Sequence, residues 1–335
     1  MSEALPRKLV VLTDNSVHPD AVDRLRPCAD VRILEAYPSE TTLIDACHEA
    51  DAILARLGVV TAGVIEACPR LRIIARHGAG SDGVDLAAAT ARGIVVTTTG
   101  PANASAVAEY TFALLLGLLR KVPLADASMR DGAWARDPLV GGALEGRTLG
   151  IVGCGAVGTK VARIAQGFGM VVLASESARP GASPLPYPAL PLHELLPRCD
   201  VVSLHLRLTG HNARVIDATA IAAMKRGAVL VNTARGELVH EAALIAALQS
   251  GHLAGAALDT YEVEPLPRNS MLRRMPNVLV SPHVAGQTDD AVMRVGHAAV
   301  QAILDEFDGR RPAFVVNPEA YDERLQMLRQ ESHHD

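Results

Sequence analysis

Three charged side chains stand directly beyond short apolar runs: Arg235 after residues 229–234, Glu264 beyond the run 256–259, and His283 after 278–282. Open parallel sheets take their ligands outside the carboxyl ends of the strands, so these are the residues to weigh first. Interconverting a 2-oxo acid and a 2-hydroxy acid needs a cation on the carboxylate. It also needs a group that exchanges a proton with the carbonyl oxygen, and a neighbour that keeps this group charged. Arginine's planar fork can hold a carboxylate by two bonds. Histidine titrates near neutrality, and an adjacent glutamate favours the imidazolium. Taken singly, Arg235 could equally cap a helix and Glu264 could equally be an exposed loop acid. His77 and His205 also lie near strand ends, and His205 reads as a cofactor-pocket or packing residue.

A second constellation supplies the partner for that chemistry. Residues 149–158 read Leu-Gly-Ile-Val-Gly-Cys-Gly-Ala-Val-Gly, which sets Gly153, Gly155 and Gly158 in a Gly-x-Gly-x-x-Gly spacing between a predicted strand and a predicted helix. Gly153 permits the tight turn, Gly155 lets the backbone approach a pyrophosphate, and Gly158 lets the helix pack closely on the strand. The phosphates would lie on free amides at the helix start, at Ala156 and Val157. Glu176 follows 23 positions after Gly153, where a carboxylate accepts bonds from ribose hydroxyls and repels a 2′-phosphate. This selects NAD over NADP, with Arg179 close by as a counter-signal. Cys154 reads as a small loop residue rather than a nucleophile.

The elements that must carry these residues come in two alternating series. The first places strands at 8–13, 31–35, 52–56, 72–76 and 94–98 and has no glycine in its first turn, 13–16, so it offers no close-approach loop. A helix over 102–122 follows, bracketed by Pro101 and Pro123. Residues 124–146, with Trp134, read as an irregular arm that packs on another subunit. The second series has strands at 148–152, 170–174, 201–206, 228–233, 254–259 and 278–281, with a proline-rich irregular crossing over 178–197. A helix over 289–307 and a short strand at 313–316 close the chain, and the tail with His333, His334 and Asp335 reads as frayed rather than metal-binding. The fold class is therefore α/β, with two doubly wound parallel-sheet domains.

Composition narrows the partners. With 335 residues the chain is long enough for two cores, and 37 acidic against 32 basic residues without a basic block argue against nucleic acid or an anionic membrane. The apolar run 112–119 is too short to span a bilayer, and no signal-peptide pattern opens the chain. Five scattered cysteines, with no Cys-x-x-Cys pair, point to reduced thiols in a cytoplasm and to no metal site.

At this point the sequence resembles the D-isomer-specific 2-hydroxyacid dehydrogenase family, which includes phosphoglycerate, glycerate and formate dehydrogenases. The likeness rests on 153–158, on Asp200 to Leu206, on Met224 to Gly236, on Leu258-Asp259 with Glu262 to Pro265, and on Pro276 to His283. It implies Arg235, Glu264 and His283 as the catalytic set, with Arg235 and His283 also touching the cofactor. It further implies that Asp259 lies at the nicotinamide end, that Thr233 and Ala234 run along the cofactor, and that Gly286 shapes its pocket. The loop Arg76-His77-Gly78-Ala79-Gly80 resembles the substrate loop whose amides bind the substrate carboxylate, while Asn103 and Glu109 match hinge-helix positions. Arg56 would reach the substrate, or else be a surface arginine. Glu176, Gly83, Arg207 and His240 depart from the commoner aspartate, asparagine, proline and aspartate.

The resemblance implies a Rossmann NAD-binding domain, 102–286, inserted into a flavodoxin-like substrate domain built from 1–101 and 287–335. Catalysis would occur in the cleft on closure, in a homodimer whose interface draws on 102–146. No regulatory domain of the kind some phosphoglycerate dehydrogenases carry follows in this sequence. The expected activity is hydride transfer between NAD and a small D-2-hydroxy or 2-oxo acid such as hydroxypyruvate, glyoxylate or a 3-phosphoglycerate-like acid. Two other readings remain open: an NAD(H)-sensing corepressor of the same fold, and a formate- or phosphite-type dehydrogenase.

Overall fold

The computed structural model of the chain describes residues 7–35, 38–176 and 187–324. Arg179, the prolines Pro180, Pro184 and Pro186, and the tail residues His333, His334 and Asp335 lie outside the described residues. The chain divides into two compact units, Met1–Asn103 with Thr288–Asp335 and Ala104–Gln287.

The chain begins with β1 (Lys8–Leu12), α1 (Pro19–Asp23), β2 (Ala29–Ile33), α2 (Glu40–Cys47), β3 (Ala52–Ala55), α3 (Ala62–Glu66), β4 (Ile73–Arg76), α4 (Leu86–Ala91) and β5 (Val95–Thr97). These strands form one parallel sheet in the order β2-β1-β3-β4-β5, the flavodoxin-like arrangement. Strands covered on both faces read as continuous apolar runs, and successive side chains then serve opposite cores. Val11, Ile53 and Ile74 enter one core with α2 and α3, whereas Val10, Leu12, Leu54 and Ile73 enter the other with α1. Side-chain caps start several of these helices, as Ser39, Thr61 and Asp85 accept from amides three residues on.

The second unit opens with α5 (Ala104–Leu119) and α6 (Val122–Arg130). Here the structure corrects the sequence reading twice. The helix expected over 102–122 ends sooner, because Lys121 takes a left-handed φ of 54°. Pro123 then sits in the first turn of α6, which runs on into the stretch from 124 expected to be irregular. A proline's missing N–H costs nothing in a first helical turn, so Pro123 starts the second helix instead of ending the first.

There follow β6 (Thr148–Val152), α7 (Ala156–Gly167), β7 (Val171–Ser175), β8 (Ala189–Leu190), α8 (Leu192–Leu195), β9 (Val201–Leu204), α9 (Ala218–Ala223), β10 (Ala228–Asn232), α10 (Glu241–Gln249), β11 (Leu253–Leu258) and β12 (Val278–Val280). All are parallel, in the order β12-β11-β10-β9-β6-β7-β8, which contains the doubly wound dinucleotide-binding order. β8 is a strand the sequence reading did not contain: two residues among prolines are too few to show a period. Within the crossing expected to be irregular, α8 is likewise ordered.

The chain ends with α11 (Asp289–Phe307), whose Ala299, Val300 and Ile303 join Val10, Leu12 and Leu54 in a core of the first unit. The closing strand expected over 313–316 reduces to a single antiparallel bridge between Val315 and Thr97. Among the described residues no helix is long and apolar enough to cross a membrane.

Candidate active site

The glycine loop joins β6 to α7 at the point where the strand order reverses, between β6 and β9. Gly153 takes φ 101°, and a Cβ there would lie 2.7 Å from the carbonyl carbon of His205, where the chain leaves β9. A Cβ on Gly158 would lie 2.2 Å from the Gly153 oxygen, so the first turn of α7 packs directly on the loop. Gly155 differs: an added Cβ would meet nothing within 4 Å. Gly155 is also the N-cap of α7 and provides no side-chain cap for the amides of the first turn, at Ala156 and Val157. Open space beside uncapped amides is what an anion-binding turn requires, so these residues fit a pyrophosphate.

Around this loop, Ser175 at the end of β7 accepts from the Gly153 amide at 3.3 Å. Glu176 is next along the chain and exposed, with its amide bonded to the Leu190 carbonyl of β8 at 2.9 Å. The sulfur of Cys154 lies 3.9 Å from the Thr159 hydroxyl, and burial raises its thiol above the ordinary range, which disfavours the thiolate. His205 pairs with the Ser203 hydroxyl at 2.9 Å, and burial pushes its pKa down to about 3, leaving a neutral ring.

The three charged candidates follow neighbouring strands. Arg235 comes three residues after β10, in a turn shaped by Asn232, whose side chain accepts from the Ala234 amide and donates to the Arg235 carbonyl. Gly236 holds this turn against the next loop, since a Cβ there would lie 1.8 Å from the Tyr261 carbonyl carbon. Glu264 follows β11 and His283 follows β12. His283 Nδ1 lies 2.7 Å from Glu264 Oε2, while Glu264 Oε1 accepts from the Tyr261 amide at 3.1 Å. Burial alone would raise the Glu264 carboxyl. The His283 hydrogen bond and charge, the Tyr261 amide and the Arg235 charge outweigh it and hold the group below its ordinary value.

Asp259, at the end of β11, is fully buried and pins the His283 turn. Its carboxylate accepts from the Ser281 hydroxyl at 2.6 Å, the Val284 amide at 3.0 Å and the Ala285 amide at 2.8 Å. The Tyr261 hydroxyl braces the same turn, accepting from the Ser281 amide at 3.0 Å. Thr233 is buried, its hydroxyl 2.9 Å from that of Thr111 on α5. Ala234 is also buried, and Gly286 lies in the turn closed by the Gln287 amide on the Val284 carbonyl.

In the other unit, residues 76–80 follow β4. Arg76 binds the Gly80 carbonyl and the Ala55 and Arg56 carbonyls, each at 3.2 Å, so it shapes the loop holding Gly78 and Ala79. Burial, helped by the Arg56 charge, holds His77 at a pKa of about 4. Arg56 is not a surface arginine: its side chain is 13% exposed and its Nη1 lies 2.9 Å from Asp14 Oδ1.

A family model describing the D-isomer specific 2-hydroxyacid dehydrogenase NAD binding domain matches residues 112–285. The chain belongs to that family. This dehydrogenase is 39% identical over 292 residues to the glyoxylate reductase of Korarchaeum cryptofilum, covering 85% of this chain and 88% of the relative. It is 39% identical over 297 residues to the D-3-phosphoglycerate dehydrogenase of Mycobacterium tuberculosis, covering 88% of this chain but only 56% of that relative. Among solved structures it resembles an NADPH-dependent glyoxylate/hydroxypyruvate reductase from Sinorhizobium meliloti, in complex with NADP and malonate. That match has a TM-score of 0.81 and 30% identity, and covers 94% of this chain and 98% of the other.

The sequence reading of this dehydrogenase missed Asp14, Thr111, Ser175 and Tyr261, which hydrogen-bond to the candidate residues Arg56, Thr233, Gly153 and Glu264. Asp14 lies in the first turn, inspected only for glycine, and no local pattern marks the others. Of the unusual positions, His240 does the work of the commoner aspartate: its Nδ1 accepts from the Ala243 amide and caps α10. Arg207 is exposed after β9, and Gly83 lies 3.3 Å, by its added Cβ, from the Gly58 oxygen. Asn103 precedes α5, and Glu109 is exposed on it.

Proposed function

We propose that this dehydrogenase reduces a small 2-oxo acid to its D-2-hydroxy acid with NADH, and catalyses the reverse oxidation. The observation that carries the reading is the His283–Glu264 pair, held at 2.7 Å beyond adjacent strands of the unit that has the glycine loop. The bound nicotinamide supplies or accepts the hydride. Arg235 binds the substrate carboxylate and orients the carbonyl. With Nδ1 committed to Glu264, His283 exchanges its proton with the substrate oxygen through Nε2, and Glu264 keeps the ring in that orientation. In the other unit, Arg56 and the loop residues His77, Gly78, Ala79 and Gly80 contribute to binding the substrate.

The cofactor is bound by Gly153, Gly155, Ala156, Val157 and Gly158 at the pyrophosphate, with Thr233, Ala234, Asp259 and Gly286 along the rest. Glu176, exposed at the end of β7, supports NAD over NADP by repelling a 2′-phosphate. Val122, Leu124, Met129, Trp134 and Val140 all expose large apolar side chains, which supports a homodimer formed through this arm.

The test is NADH consumption by purified protein over glyoxylate, hydroxypyruvate and phosphohydroxypyruvate, with NADPH run beside NADH for wild type and Glu176→Ala. Turnover that depends on Arg235 and favours NADH until Glu176 is removed is the expected result. Negligible turnover on every acid, despite tight NADH binding, overturns the reading in favour of a sensing role.

A further inference from the structure

The unit that carries Arg56 contains a charged pair outside the proposed reaction steps. Asp14 follows β1 by two residues and its side chain is 1% exposed; its Oδ1 meets Arg56 Nη1 at 2.9 Å. The same oxygen accepts from the Ser16 amide at 2.6 Å and from the Ser16 hydroxyl, which ties residues 14–16 into a closed turn. Thr13 grips Arg56 from the other side. Its hydroxyl accepts from the Arg56 amide at 3.0 Å and donates to the Leu57 carbonyl at 2.8 Å. Main chain and side chain of one arginine are thus fixed by two consecutive residues.

The location of this bracket matters. β1 leads to β2 on one side, while β3, β4 and β5 build out on the other, so the ends of β1 and β3 flank the point where the strand order reverses. In such sheets that is where ligands bind. The next strand end brings His77, whose Nε2 is buried without a hydrogen-bond partner among the described residues. Among the described residues, Asp14 is the sole acceptor on the Arg56 guanidinium, so its other N–H groups keep a set direction.

The geometry points to Asp14 and Thr13 as positioning residues that aim Arg56 at the substituent beyond the substrate's carbonyl carbon. They thereby set which 2-oxo acid is preferred without touching it. This rests on the reading above that Arg56 meets the substrate. Within the same unit the 76–80 amides are read as holding the carboxylate, which leaves Arg56 a hydrogen-bond acceptor on C3, a hydroxyl or a phosphate. An arginine ordered in advance loses less freedom when it binds.

The test compares hydroxypyruvate, which has a C3 hydroxyl, with glyoxylate, which has no C3. The ratio of kcat/KM for the two acids is read for wild type, Asp14→Asn, Thr13→Val, Arg56→Ala and the double variant Asp14→Asn with Arg56→Ala. The expected result is a fall of about tenfold in the ratio for Asp14→Asn, expressed in the KM for hydroxypyruvate more than in kcat, with no further fall when Arg56 is already alanine. Thr13→Val should move the ratio in the same direction and serves if Asp14→Asn does not fold. Equal losses on both acids, or additive effects in the double variant, would show a purely structural role and overturn the inference. If Arg56→Ala leaves the ratio where it was, the reading that Arg56 meets the substrate fails first and takes the bracket with it. If Arg56→Ala lowers the ratio but neither Asp14→Asn nor Thr13→Val does, only the positioning inference fails.

Discussion

The Asp259 carbonyl accepts the backbone amide of His283 at 2.9 Å, and the Asp259 carboxylate, fully buried, binds the two amides that follow His283. His283 itself takes a left-handed φ of 53°, which a side-chain-bearing residue adopts only where its surroundings hold it. The turn that presents the imidazole is therefore built by β11, the strand next to its own.

Asp259→Ala should be strongly destabilising, because it leaves the Ser281 hydroxyl and two amides buried without their acceptor. Urea unfolding should show a loss of about 3 kcal/mol or more. A loss below about 1 kcal/mol would mean that water or a neighbour replaces the carboxylate.

His283→Ala should lower kcat by about a hundredfold or more, the usual scale for losing a general acid. The dissociation constant of NADH, followed by its fluorescence, should change far less. Comparable losses in both would assign the imidazole to cofactor binding instead of proton transfer.

The depressed carboxyl of Glu264 gives a pH signature of definite sign. A carboxyl whose folded value lies below its unfolded one adds stability above the unfolded value, and that stability is lost as pH falls through the folded value. Thermal unfolding of wild type and Glu264→Gln should differ most near neutrality, with the gap closing as the solution is acidified below the ordinary carboxylate range. Because the Glu264 side chain is 35% exposed, the gap should be modest and should shrink in high salt. A gap that widens in acid would contradict the assignment.

The glycine loop separates folding from binding. Gly158→Ala should lower the melting temperature, since its Cβ would fall 2.2 Å from the Gly153 oxygen. Gly155→Ala has open space for its Cβ and should leave the melting temperature nearly unchanged while weakening NADH by about tenfold, as the methyl occupies room meant for phosphate. Calorimetry with an NADH titration on both variants measures the contrast.

Much of this protein is legible in its sequence because the signals are local. A strand covered on both faces must be a continuous apolar run, so β1, β3, β6 and β10 stand out. A turn that needs glycine for its φ or its packing shows the glycine, as at Gly153 and Gly158. The long helix Asp289–Phe307 carries both its period and its Thr288 cap in consecutive residues. Elements too short to carry a period escaped: β8 has two residues, and the bridge at Val315 has one. Pro123 was ambiguous because the same missing N–H suits the end of one helix and the start of another.

What only the tertiary structure decided is which side chains meet. Glu264 and His283 are 19 positions apart, and Asp14 and Arg56 are 42 apart. Asp14 and Arg56 follow β1 and β3, which pair although β2 lies between them in the chain, whereas Glu264 and His283 lie in loops that follow β11 and β12, neighbours in the sheet. A carboxylate's partner depends on strand order and on burial, neither of which a run of neighbouring residues contains. The types of the reacting groups could thus be named from the sequence, and Asp259 with them, whereas the bonds by which Asp259 and Tyr261 hold the His283 turn, and Asp14 and Thr13 hold Arg56, emerged only from the fold.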